Sequence, residues 1–208
     1  MTPGEAWSAL LDGNERFVAD RMHHPSQDAT RRGEIAEAQH PFAVVFGCSD
    51  SRVAAEIVFD RGLGNLFVIR TAGHVVDTTV IGSIEYGVVV AGASLVVVLG
   101  HDSCGAVAAA AHALSTGTMP TGFVRAVVDR VIPSIVELPS SGDDECRVVV
   151  PSPAALGRGH ITHTVDMLMA YSTGLATAVA DGSCAVVGAE YTLAEGRVRP
   201  VTVRGSIA

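Results

Sequence analysis

This chain is short of the features that mark a nucleic-acid surface, a membrane span or a disulfide scaffold. Its 208 residues hold 14 Lys+Arg against 22 Asp+Glu, a net charge of -8. Phosphate binding draws on clustered cations. The nearest thing to a basic run, Arg31-Arg32, has Asp28 and Glu34 close by. No uninterrupted apolar stretch reaches the roughly 18 residues that a spanning helix needs. The start, Met1-Thr2-Pro3-Gly4-Glu5, lacks the basic and apolar segments of an export signal. These absences predict a cytoplasmic protein with no nucleic-acid and no membrane partner. The four cysteines, Cys48, Cys104, Cys146 and Cys184, contain no C-x-x-C pair. With no export signal, metal binding or simple burial is expected of them rather than disulfides. Charged residues make up only 17% and aromatics 5%, against 48% apolar, which excludes a disordered chain.

What is present is an alternation of helix and strand. Residues 4–19 read as an amphipathic helix, with Thr2-Pro3 as cap and first helical position. Residues 20–41 read as loop with a short helix around 30–38. Apolar runs at Phe42–Phe46, Leu66–Ile69, Leu95–Leu99 and Cys184–Gly188 read as strands. Tyr191–Leu193 and Val198–Val203, around Glu195-Gly196, suggest a closing hairpin. Helices are predicted over 53–59, 77–92, 104–115, 122–137 (kinked or broken before Pro133) and 160–181, with 138–159 mainly loop. The expectation is an α/β fold: a mainly parallel central sheet of about four to five strands flanked by helices, with an N-terminal helical arm. Residues 1–208 form one domain on this reading, with arm and loop over 1–40 and an α/β core over 41–208.

Two apolar strands end alike. Phe46-Gly47 runs into Cys48-Ser49-Asp50-Ser51-Arg52, and Leu99-Gly100 into His101-Asp102-Ser103-Cys104-Gly105. Sites in parallel sheets form beyond the carboxyl ends of the strands. If these strands are neighbours, Cys48, Asp50, His101 and Cys104 meet in one crevice. Two thiolates and an imidazole suit zinc with an open fourth position. Asp50 is either the fourth ligand or a neighbour held ionised by a bidentate pair with Arg52. Buried thiols, a purely structural Asp–Arg pair and a closed structural zinc site are the plainer alternatives. Cys146 and Cys184 are expected to be inert, and His160 and His163 solvated or capping.

Cys-x-Asp-x-Arg followed about fifty residues later by His-x-x-Cys-Gly resembles the signature of the beta-class carbonic anhydrases. The stretches 67–73, 82–86 and 97–101 support the resemblance, which covers roughly residues 5–192. It implies one Zn2+ per chain on Cys48, His101 and Cys104. Water or hydroxide takes the fourth position in the open state, and Asp50 takes it in the closed state, released when it pairs with Arg52. It implies hydration of CO2 to bicarbonate and a proton by zinc-bound hydroxide oriented by the Asp50–Arg52 dyad. It implies a substrate pocket lined by Gln39, Phe67, Tyr86 and Ala72, with the Gly105 backbone N–H holding bicarbonate. That pocket lies at a dimer interface, in a homo-oligomer built as a dimer or dimer of dimers. Members with a second, inhibitory bicarbonate site carry Trp three residues before the first Cys. Val45 stands there, so no such site is expected. Rival readings are CS2 or COS as substrate, and a non-catalytic zinc protein on the same scaffold. His74 is a weak candidate for exporting the proton.

Overall fold

The structure, a computed structural model, describes residues 1–136 and 152–208. Five strands, β1 (Ala43–Cys48), β2 (Leu66–Thr71), β3 (Leu95–His101), β4 (Ala185–Thr192) and β5 (Arg197–Arg204), form one sheet in the order β2-β1-β3-β4-β5. The first four are parallel, and β5 returns antiparallel to β4. Every residue of β1 and β3 is buried, which is why both are apolar throughout rather than alternating.

Side chains alternate across the sheet and build two apolar layers. Val45, Val97 and Val187 pack on one face with Trp7, Leu10 and Phe59. Val44, Phe46, Val96, Val98 and Val186 pack on the other with Ile84, Ile161, Val165 and Leu168.

Helix α1 (Pro3–Val18) starts at a capping box. Glu5 N–H donates to the Thr2 hydroxyl, and Thr2 N–H donates to the Glu5 carboxylate. This helix lies on its own chain's sheet. Its buried Asn14 donates to the Val58 and Gly196 carbonyls at 3.1 and 2.8 Å and accepts from Val198 N–H at 2.9 Å. The short α2 (Ala29–Glu34) and its flanking loop are anchored through Asp60. The Asp60 carboxylate accepts from Arg16 Nε at 2.6 Å and from the His23 and His24 N–H groups at 3.0 and 2.9 Å.

The remaining helices are α3 (Ala55–Val58), α4 (Thr78–Glu85), α5 (Gly105–Thr116), α6 (Val124–Val136), α7 (Pro153–Tyr171) and α8 (Thr173–Ala180). A wide π turn, Tyr86–Val90, extends α4. Helix α7 crosses the sheet where β3 and β4 carry glycine. A Cβ at Gly100 would lie 2.5 Å from Ile161 Cγ1, and one at Gly188 would lie 2.7 Å from Ile161 Cγ2.

Several boundaries differ from the sequence reading. Residues 153–159, expected as loop, begin α7: Ser152 accepts from Ala155 N–H and Pro153 supplies a preset first turn. The rest of that expected loop, 138–151, and Cys146 lie outside the described residues. The helix expected over 160–181 is two helices parted at Ser172. That residue is extended, accepts from Leu175 N–H to cap α8, and donates its hydroxyl to Glu85 at 2.6 Å. Helix α6 runs unbroken through Pro133. Strand β4 extends past Gly188 to Thr192 through an irregularity at Gly188/Ala189.

Candidate metal centre

Strands β1 and β3 pair directly, with Gly47 opposite Leu99, so their carboxyl ends open into one crevice. Cys48 ends β1, His101 ends β3, and Cys104 is the residue that caps α5. Their three donor atoms lie within 4.8 Å of one another, and all three residues are buried.

The imidazole is oriented for a ligand. His101 Nδ1 lies 2.7 Å from the Asp102 carbonyl oxygen. A carbonyl only accepts, so Nδ1 carries a proton, and the neutral ring presents a bare lone pair at Nε2. Nε2 is buried with no hydrogen-bond partner among the described residues. An unsatisfied buried acceptor is costly, and a metal ion would satisfy it.

The sulfurs are coupled. Donation from Cys104 draws the Cys48 thiol well below its ordinary range; burial opposes this, and the Gly73 N–H, 3.2 Å from Cys48 Sγ, adds to it. Cys104 is pushed upward by the same partner and by burial. Of the two, Cys48 is the sulfur that gives up its proton more readily. The donor set, two sulfurs and an Nε2 lone pair, fits zinc.

Asp50 stands beside the cluster rather than within the three-donor group. Arg52 grips it with Nε on Oδ1 at 2.9 Å and Nη2 on Oδ2 at 2.6 Å, and the Arg52 backbone N–H adds a bond at 2.9 Å. These contacts, the Arg52 side chain first, hold the carboxyl well below the usual carboxylate range. Asp50 Oδ2 lies 3.8 Å from His101 Nε2. Arg70 pins the loop between them, donating to the Cys48 and Asp50 carbonyls at 2.9 and 2.7 Å.

The expected pocket residues fall into two groups. Ala72 and Gly105 are exposed; Gly105 follows Cys104 at the start of α5, and Ala72 follows Thr71, the residue of β2 that pairs with Cys48. Gln39 and Tyr86 line a separate cleft of 470 Å³ that includes Ile35 and Val90. The Phe67 ring lies 5.9 Å from that of Tyr86. Phe67 pairs with Val44 while Thr71 pairs with Cys48, which puts Phe67 about 13 Å along the sheet from the cluster row. A smaller cavity of 90 Å³, walled by Cys104, Val107, Ala111 and Leu156, abuts the cluster itself.

Sequence reasoning missed a buried polar layer behind the centre. His160, expected to be solvated or capping, is 1% exposed; burial pulls its pKa down to about 4. Its Nε2 lies 2.8 Å from the Gly73 carbonyl and its Nδ1 lies 2.9 Å from the Ser134 hydroxyl. His74 stacks at 4.3 Å from it, and neither of its ring nitrogens has a partner among the described residues. Burial, and then the neighbouring imidazoles, hold His74 well below its ordinary pKa, which removes it as a group exchanging protons with solvent. Only the helical pattern around His160 hinted at burial. Cys184 is buried, as expected of an inert thiol.

Residues 43–198 match the carbonic anhydrase family profile. Carbonic anhydrase 2 of Mycobacterium tuberculosis (strain ATCC 25618 / H37Rv) is 53% identical over 195 residues, covering 94% of this chain and 91% of the relative. A carbonic anhydrase of Mycolicibacterium smegmatis is 53% identical over 196 residues, covering 94% and 92%. In fold, the chain is similar to a Coccomyxa beta-carbonic anhydrase solved with acetazolamide (TM-score 0.70, 24% identity, 95% and 88% covered). It is also similar to tetrameric beta-carbonic anhydrases from Sordaria macrospora (TM-score 0.69, 20% identity, 94% and 96% covered). No helix of the described residues is long and apolar enough to cross a membrane. With its three-donor crevice between two parallel strands and this similarity along nearly all its length, the chain belongs to the beta-class carbonic anhydrase family of enzymes.

Proposed function

We propose that this chain catalyses reversible hydration of CO2 to bicarbonate and a proton, with one zinc ion held by Cys48, His101 and Cys104. The observation that carries this is the buried donor trio, with its bare His101 Nε2, beside an ionised Asp50. When bound there, zinc supplies a water acidified toward a pKa of about 7, the nucleophile for CO2. The residues do the rest. Asp50, kept anionic by Arg52, accepts a proton-bearing partner at the open position and orients it. The same carboxylate lies 3.8 Å from His101 Nε2 while Arg52 holds it, near enough that it would supply a further ligand if that pair opened. The Gly105 N–H, at the first turn of α5, holds the anionic product.

Phe67, Tyr86 and Gln39 lie too far along the sheet to wall their own chain's cluster. They line the pocket of a second copy, with Ala72 from the chain that owns the metal. Tyr86, Val89 and Val90 are 48%, 63% and 65% exposed, an apolar patch suited to such a dimer. A dimer or dimer of dimers, built from one domain whose 1–40 arm packs on the 41–208 core, working in the cytoplasm without nucleic acid or membrane, completes the reading.

Stopped-flow CO2 hydration on protein of assayed zinc content tests it. Activity that rises with pH and tracks zinc supports the proposal. Full zinc with no activity at any pH overturns it and turns attention to CS2 and COS.

A further inference from the structure

We propose that His160, fixed by Ser134, is a positioning residue that holds the Gly73 backbone against Cys48 and thereby tunes the metal centre. The inference rests on Cys48 being a metal ligand. The Gly73 N–H points at Cys48 Sγ, 3.2 Å away, while the Gly73 carbonyl lies 2.8 Å from His160 Nε2. Both groups flank one α-carbon, so the angle at which the N–H meets the sulfur is set by what holds the carbonyl.

The backbone needs that hold. Gly73 sits at φ 64° and His74 at φ 41°, two successive residues in the left-handed region. For a non-glycine such as His74 this conformation persists only where its surroundings impose it. A Cβ on Gly73 would lie 2.5 Å from the Ala106 Cβ, so no side chain can take over the role. His160 is well placed to impose it. The Gly73 carbonyl can only accept, so the imidazole carries its proton on Nε2. Its Nδ1 lies 2.9 Å from the Ser134 hydroxyl, whose one proton is shared with the Val131 carbonyl 2.6 Å away. Ser134 and His160 are 2% and 1% exposed, so water does not compete for these bonds.

An N–H bond to a thiolate withdraws charge from the sulfur. Losing it makes the sulfur a stronger donor and loosens the ligand's orientation. Partners behind a metal ligand commonly shift metal affinity by about 10- to 100-fold.

The test uses the full-length protein loaded with Co2+, whose thiolate charge-transfer band reports on the sulfur. For His160→Phe we expect that band to move to longer wavelength and chelator-driven cobalt loss to quicken by about tenfold. His160→Gln, whose amide can still donate to the Gly73 carbonyl, should restore most of both. If His160→Phe does not fold, Ser134→Ala, which frees the ring to turn, should shift both readouts the same way by a smaller amount. Variants that fold with an unchanged band and unchanged loss rate overturn the proposal while leaving the metal reading standing. A native protein that takes up no cobalt and shows no band overturns both.

Discussion

Arg52 holds both carboxylate oxygens of Asp50, Nε on one and Nη2 on the other, while Asp50 Oδ2 stays 3.8 Å from His101 Nε2. One oxygen, Oδ2, thus stands between a guanidinium that holds it and an imidazole edge just out of contact. The Arg52 side chain is 54% exposed, so little of the fold depends on its grip.

Asp50→Asn should keep stoichiometric zinc and lose hydration activity by roughly a hundredfold or more, since a neutral amide is a poor proton acceptor. Full activity in that variant would remove Asp50 from the chemistry. Arg52→Ala should leave Tm almost unchanged and depress activity at neutral pH, because the freed Asp50 then takes the open position. Activity equal to the parent at every pH would remove Arg52 from the gate.

Stripping the metal is expected to lower Tm by roughly 10 °C, the effect of losing a ligand present at about a thousand times its Kd. Cys48→Ser should melt near the stripped protein with or without added zinc. A Cys48→Ser melt that rises on adding zinc as much as the parent's would mean the ion binds elsewhere.

Asp60 gives a stability signature at low pH. Burial alone would raise its pKa, but the His23 N–H, Arg16 and the His24 N–H outweigh it, and the net shift is downward. A folded value below the unfolded one, about 3.9, means the stabilisation is whole above pH 4 and fades as pH falls through the folded value. Asp60→Asn should destabilise the fold at pH 7, with the gap to the parent narrowing below pH 4. Denaturant melts at pH 7 and pH 3 measure it; an equal gap at both would refute the assignment.

His160 titrates in a different window. Its folded value of about 4 lies below the unfolded 6.5, so the unfolded chain binds a proton that the native chain refuses. Stability conferred by the neutral ring is complete above pH 6.5 and declines by about 1.4 kcal/mol per pH unit down to pH 4. His74, shifted the same way, steepens the decline. Urea melts from pH 7.5 to 4.5 should show the slope in the parent and a shallower one in His160→Gln; parallel curves would contradict it.

The donor trio was legible in the sequence because Cys48 and His101 each end an apolar run, Cys104 follows three residues after His101, and strand ends are where parallel sheets place their sites. Cys48 and His101 needed only the pairing of β1 with β3 to meet. Arg70 could not be read the same way, although it is the penultimate residue of a strand: nothing local says that its guanidinium reaches back to the Cys48 and Asp50 carbonyls. Ser134 and His160 were hidden more deeply. They sit on two helices, and their contact with each other, behind the His160 bond to Gly73, exists only once α6 and α7 have packed. The break at Ser172 was equally invisible, because the residue that claims its hydroxyl, Glu85, is remote in the chain. Periodicity reports which face a helix buries; it is silent on a polar contact made by one side chain across the fold.

The glycine saddle under α7 acts as a depth gauge. Ile161 drops into the space left by two missing methyl groups, at Gly100 and Gly188, and His160 is its immediate neighbour on the helix. A methyl at either glycine would lever the helix outward, and the imidazole would leave the Gly73 carbonyl with it. Mutational latitude at these two positions is therefore governed by the seating of His160 on the Gly73 carbonyl as much as by the core.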